Sequence, residues 1–147
     1  RRARGDEGVA LVEFAIVMPL LFLLIFGVIE FGNAYFQQLD IRHGARETAR
    51  LAAVDYGGGS VSALVTEGCS RMDPTSRKGV DIAITRNGTK VGDEVQVTVR
   101  KELQQLTGFL GFILNGRVIT SQISTRLEQP ATYLDEPQES PLPGNDC

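Results

Sequence analysis

Hydropathy divides the chain unevenly. Between Glu13 and Glu30 lie sixteen residues without an ionisable group. Extended back to Val9, the run reaches twenty-one residues interrupted only by Glu13. At about 1.5 Å of helical rise per residue it crosses roughly 30 Å, the thickness of a bilayer's hydrocarbon. The pattern therefore predicts a transmembrane helix over residues 9–31. Beyond it, residues 31–54 contain no proline, and small or apolar side chains recur at Ala34, Ile41, Ala45, Ala49 and Ala52. That spacing extends the helix outside the membrane over residues 32–56, with one face suited to packing and a total length near 70 Å at the same rise. Gly44 weakens it by about 1 kcal/mol relative to Ala, and Gly57, Gly58 and Gly59 stop it.

The period then changes. Ser60 caps a short helix over residues 61–67, followed by Gly68, Cys69 and a loop with Asp73 and Pro74. Val80, Ile82 and Ile84 alternate with more polar neighbours up to Asn87 and Gly88, and Val95, Val97 and Val99 alternate after Gly92 and Asp93. Two such runs read as an antiparallel pair, with a third strand over residues 118–127. Leu103, Leu106, Phe109, Leu110, Ile113 and Leu114 fit a short amphipathic helix. Its apolar face either covers the sheet, the reading we expect, or touches the outer leaflet. No charged residue occurs in residues 103–116. The expected fold class is α+β: a long N-terminal transmembrane helix extending into a small exoplasmic domain, residues 57–128, with a roughly three-stranded antiparallel sheet.

Composition narrows the function. The 147 residues carry a net charge of −3 and a pI near 5.2, and the basic cluster is the N-terminal Arg1, Arg2 and Arg4, so nucleic acid is not an expected partner. That basic start, ahead of an apolar run, has the character of an export signal's n-region and biases the N-terminus to the cytoplasm, leaving the C-terminal part outside. A conventional signal peptide cut after Ala34 would instead release a secreted module. From Glu128 onward the composition shifts: four of the six prolines lie beyond Gln129 and the final twenty residues hold five acids. Residues 129–147 are expected to be an acidic, proline-rich, disordered tail.

The chemistry-bearing residues are sparse. One histidine and two distant cysteines, Cys69 and Cys147, form no metal or redox spacing. We expect no enzyme, no cofactor and no metal site. The cysteines either pair within the chain, bridge to another molecule or stay free. Arg42, Arg46 and Arg50 are spaced by four and, with Glu47, form either an assembly face or an ordinary solvated stripe. Pro19 removes a backbone hydrogen bond within the span and is expected to kink it. Glu13 is the most informative residue. A carboxylate within a spanning helix costs roughly 2.5–3.5 kcal/mol at the centre and less toward an end, so it either reaches the interface or needs a cationic partner.

At Gly8-Val9-Ala10-Leu11-Val12-Glu13-Phe14 the sequence resembles the processing site of type IV pilin-like proteins. The later elements narrow the likeness. Val12-Glu13-Phe14-Ala15, Pro19-Leu20, Glu30-Phe31-Gly32, Ala34-Tyr35 and Ala45-Arg46-Glu47-Thr48-Ala49-Arg50 together resemble TadE-like proteins, pilin-like (pseudopilin) components of the tight-adherence pilus and secretion system. The resemblance covers about residues 8–54. It implies a leader, residues 1–8, removed by a prepilin-type peptidase between Gly8 and Val9. It also implies that Glu13 pairs with the freed amine of a neighbouring subunit, a pairing that lowers the cost of either charge in low dielectric. Expected partners are the membrane, other pilin-like subunits and secretion-system proteins, at a bacterial inner or cytoplasmic membrane. Phe14 stands where the short major pilins of these systems commonly carry Tyr, and the long C-terminal portion fits an accessory subunit. An unprocessed membrane-tethered binding domain is the alternative.

Overall fold

The structure is a computed structural model that describes residues 3–133 and residue 147, with side chains from residue 8 onward. Its elements run α1 (Ala3–Ala53), α2 (Val61–Ser70), β1 (Val80–Arg86), β2 (Glu94–Glu102), α3 (Gly111–Leu114) and β3 (Val118–Arg126). The chain forms two compact units, Arg1–Ala34 with Gln104–Asn115, and Tyr35–Leu103 with Gly116–Cys147. The result is α+β, a long N-terminal apolar helix and a small domain with a three-stranded antiparallel sheet.

The larger unit is built on the second half of α1. Ile41, Ala45, Ala49 and Ala52, at helical spacing, are almost wholly buried. They share one core with Leu64 and Cys69 of α2, Met72, and the apolar face of the sheet. Small side chains let the neighbouring elements come close, which is why the buried stripe reads as alanine rather than leucine. Two glycines extend that logic. A Cβ on Gly68 would lie 2.1 Å from Thr48 Oγ1, and one on Gly44 would lie 2.5 Å from Met72 Cγ. Gly44 therefore has a packing role that its helix-weakening composition did not reveal.

The sheet is a meander, β1-β2-β3. Ile82 pairs with Val99, Ile84 with Val97, and Val97 in turn with Ile123, so the alternation read from the sequence sets the register, and Val95, Val97 and Val99 are completely buried. The same period of two carries Lys101 onto the buried face, where its Nζ donates to the Ser76 carbonyl. Burial draws this ammonium below its ordinary value, while the charges of Asp40 and Asp73 act in the opposite direction. Asp40 in turn accepts from the Asp73 amide at 3.2 Å.

At the end of α1 the chain turns through Asp55, Gly57, Gly58 and Gly59, all at positive φ, a conformation that three consecutive glycines adopt at little steric cost. Ser60 caps α2, its Oγ accepting from the Ala63 amide at 3.3 Å. The helix then runs through Gly68 and Cys69 to Ser70, one turn beyond the end expected from sequence.

The segment after β3 belongs to the fold. Glu128 N donates to the Ala53 carbonyl at 2.8 Å and the Tyr133 hydroxyl to the Ala52 carbonyl at 2.9 Å, so the open end of α1 is closed by chain that composition assigned to a disordered tail. Asp55 accepts from the Thr132 amide and hydroxyl at 2.9 and 2.7 Å, and Arg86 lies 5.0 Å over the Tyr133 ring. Packing thus continues to Tyr133; the rest of the expected tail, up to Asp146, lies outside the described residues. Cys147 is bonded to Cys69, their Cα atoms 5.1 Å apart.

Two stability measurements test this packing. Gly68→Ala should cost about 1–3 kcal/mol in chemical denaturation, because Thr48 Oγ1 is held on the Gly44 carbonyl at 2.8 Å and cannot easily yield. Adding Thr48→Ala should recover part of the loss. Burial pushes the Tyr133 phenol up to about 12 from an ordinary 10.0. The unfolded chain therefore ionises first, and the stability this group contributes is intact below pH 10 and falls as pH rises toward 12. The slope should vanish in Tyr133→Phe, which also costs about 0.5–1.5 kcal/mol at neutral pH through the lost hydrogen bond.

Candidate functional site

In the unit formed by Arg1–Ala34 with Gln104–Asn115, the apolar side chains of α1 face outward. Leu11, Val12, Phe14, Ile16, Leu20 and Leu24 are all more than half exposed. A helix this apolar, with most of its side chains uncovered, is suited to a lipid surround. The segment Gly8–Ala53 contains the one candidate membrane span among the described residues, near the N-terminus. The helix runs unbroken through Pro19.

Glu13 is exposed on this apolar surface. Among the described residues its carboxylate has no hydrogen-bond or ion-pair partner. Gly8 and Val9, the expected cleavage pair, are exposed and helical.

Glu30 has the opposite environment. It is 1% exposed. Its Oε1 accepts from the Leu106 amide at 3.0 Å, and its Oε2 from the Thr107 amide at 3.0 Å and the Thr107 hydroxyl at 2.8 Å. Asn33 Nδ2 donates to the Gln104 carbonyl at 2.8 Å one turn later, and one turn earlier the Phe26 and Phe109 rings lie 5.2 Å apart. Three levels of α1 thus hold the Gln104–Asn115 segment against it. From the sequence, Glu30 marks the end of the apolar run and belongs to the motifs of the TadE-like resemblance, with no docking role assigned to it. The available signal was a charge-free stretch containing Thr107 and Gly108.

This segment also corrects an expectation. In place of an amphipathic helix over residues 103–114 with its apolar face on the sheet, only Gly111–Leu114 is helical, and Gly108, at φ 71°, turns the chain ahead of it. Leu103, Leu110 and Leu114 are buried, whereas Leu106, Phe109, Phe112 and Ile113 are exposed. The Thr107 amide, which a helix over these residues would spend on the Leu103 carbonyl, serves the Glu30 carboxylate instead, and the left-handed turn at Gly108 breaks the helical path.

In the larger unit, Arg42, Arg46 and Arg50 are exposed along α1 beside the buried alanine stripe, and Glu47 is half-buried. His43 is exposed. Among the described residues no group of three or more His, Cys, Asp or Glu is placed to hold a metal ion. The disulfide fixes Cys147 against the domain core.

These features define a protein with one N-terminal apolar helix, suited to single-pass membrane anchoring, and a small α+β domain whose spine is the later part of the same helix. Residues 8–50 match the family model for TadE-like protein, so this segment is TadE-like, as its motifs indicated. The match suggests association with the tight-adherence pilus. No curated protein and no solved structure matches the chain.

Glu30→Ala should accelerate hydrogen exchange at the Leu106 and Thr107 amides by tenfold or more, since a hydrogen bond to a charged acceptor contributes about 1.5–3 kcal/mol. Amides of β2 should be unaffected. Thiol titration of unreduced, denatured protein should find no free thiol. Reduction should cost at most about 4–5 kcal/mol in the chain-entropy account of so long a loop.

Proposed function

We propose that this chain is a membrane-anchored, pilin-like assembly subunit of a tight-adherence pilus or secretion system, acting through protein contacts rather than catalysis. The observation that carries this reading is the coincidence of the TadE-like match over residues 8–50 with an exposed apolar helix whose Glu13 has no partner among the described residues. A prepilin-type peptidase removes the leader after Gly8, and Val9 becomes the N-terminus. The Val9 ammonium of one subunit then faces Glu13 of its neighbour, and each charge relieves the cost of the other in lipid. Pairing of this kind sets the axial offset between adjacent helices.

The N-terminus lies in the cytoplasm and the C-terminal part in the exoplasm of a bacterial inner or cytoplasmic membrane. The Cys69–Cys147 disulfide supports an oxidising, exported location. Arg42, Arg46, Glu47 and Arg50 lie on the helix surface left uncovered by the domain core and provide a charged face for other pilin-like subunits or secretion-system proteins.

N-terminal sequencing of the membrane-extracted protein tests the reading directly. Val9 is the expected first residue; a chain retaining Arg4 through Gly8 marks an unprocessed tethered binding domain, and a start at Tyr35 marks a secreted module. Glu13→Ala should preserve export and folding while sharply reducing incorporation into assemblies. Undiminished assembly by that variant would remove Glu13 from the mechanism.

A further inference from the structure

We infer that residues 106–113 form a lipid-inserted element that enters the outer leaflet of the bilayer alongside α1. The inference rests on the reading of α1 as a membrane span, and its starting observation is the exposed apolar surface of the segment. Phe112 is 83% and Leu106 68% exposed, with Phe109 and Ile113 about half exposed. Four large apolar side chains on one short charge-free segment are costly in water.

Position along α1 identifies what covers them. Phe109 packs on Phe26, about one helical turn before Glu30 and therefore inside the uncharged run. A ring at the height of Phe26 lies at the height of hydrocarbon when residues 9–29 span it. The exposed face of the segment is thus continuous with the lipid-facing surface of the helix.

Backbone bonding supplies an independent argument. Irregular chain near membrane depth needs partners for its polar groups, and several amides of this segment have them. Here the Leu106 and Thr107 amides are taken by Glu30, and the Phe109 amide by Thr107 Oγ1 at 3.2 Å. The Gly111 amide reaches the Gly108 carbonyl, and the Ile113 and Leu114 amides reach the Leu110 carbonyl. A loop in water has no need of a buried carboxylate to serve its amides. Glu30 is likewise covered and fully bonded where an exposed carboxylate would face the edge of the hydrocarbon. The segment shields the acid, and the acid fixes the segment.

The chain contains no tryptophan, so single reporters are free of background. Full-length protein carrying Phe112→Trp, Phe22→Trp or Val91→Trp would be reconstituted in phosphatidylcholine–phosphatidylglycerol vesicles with or without brominated acyl chains. Phe22 lies within the uncharged run, and Val91 is an exposed residue between β1 and β2. Blue-shifted emission from Phe112→Trp, quenched by brominated lipid as Phe22→Trp is, with Val91→Trp unshifted and unquenched, supports insertion. Emission from Phe112→Trp matching Val91→Trp overturns it and leaves the span intact. So does blue-shifted emission insensitive to brominated lipid, which would place a second copy or another protein over the patch. Failure of brominated lipid to quench Phe22→Trp would overturn the span reading itself, and this inference with it.

Discussion

One helix has to satisfy two solvents. Along residues 9–29 most of its apolar side chains face outward, Phe26 against Phe109 being an exception, and such a surface suits lipid. From Ile41 onward only a single stripe is apolar, and that stripe is reduced to Ala45, Ala49 and Ala52. The first pattern suits lipid, the second a protein core. The small domain has its spine because the helix continues past the end of the apolar run.

That spine shapes the choice of small residues around it. Packing on an alanine stripe brings α2 close enough that Gly68 has no room for a methyl group beside Thr48, and Met72 fills the space over Gly44. The carbonyls at the end of α1 cannot be satisfied within the helix. Glu128, Gln129 and Tyr133 serve them after the chain has passed through the whole sheet. The C-terminal closure is consequently a long-range event, with the Cys69–Cys147 bridge fastening residues 78 apart in sequence. Leu127, Ala131 and Tyr133 join the core that the strands and α1 form, while the residues between them stay exposed.

Local periodicity explains which features were legible. The valine alternation in β2 identifies the buried face, and its pairing with β1 follows from the short connection between them. Ser60 and the glycine triplet mark helix ends by backbone chemistry alone. Long-range partners left weaker traces. Tyr133 sits in a proline-rich, acidic context that resembles disordered chain, and nothing within a few residues of it announces the Ala52 carbonyl. The apolar spacing of residues 103–114 equally fits a helix; the turn at Gly108 and the docking of the Leu106 and Thr107 amides on the distant Glu30 carboxylate give a different path. Lys101 falls on the inward face by register, although its type predicts exposure; the Ser76 carbonyl accepts a hydrogen bond from its ammonium and makes that position tenable.

Glu13 and Glu30 flank the same uncharged run, and their treatment by the fold differs. Glu30 receives three hydrogen bonds from a segment seventy-six or seventy-seven residues away, so its charge is settled within one molecule. Glu13 receives none from the described residues and stands among Val12, Phe14 and their exposed neighbours. A chain able to build an intramolecular solution for one acid at the edge of an apolar span leaves the other bare. Since no described residue partners that carboxylate, water at an interface or a cation on a neighbour would relieve its cost. Water would relieve the charge without directing anything; a neighbour's amine would relieve it and fix the offset between two otherwise featureless helices. The second alternative makes use of the helix's lack of other directional groups, because on an all-apolar surface a single ion pair is enough to choose one packing register from many.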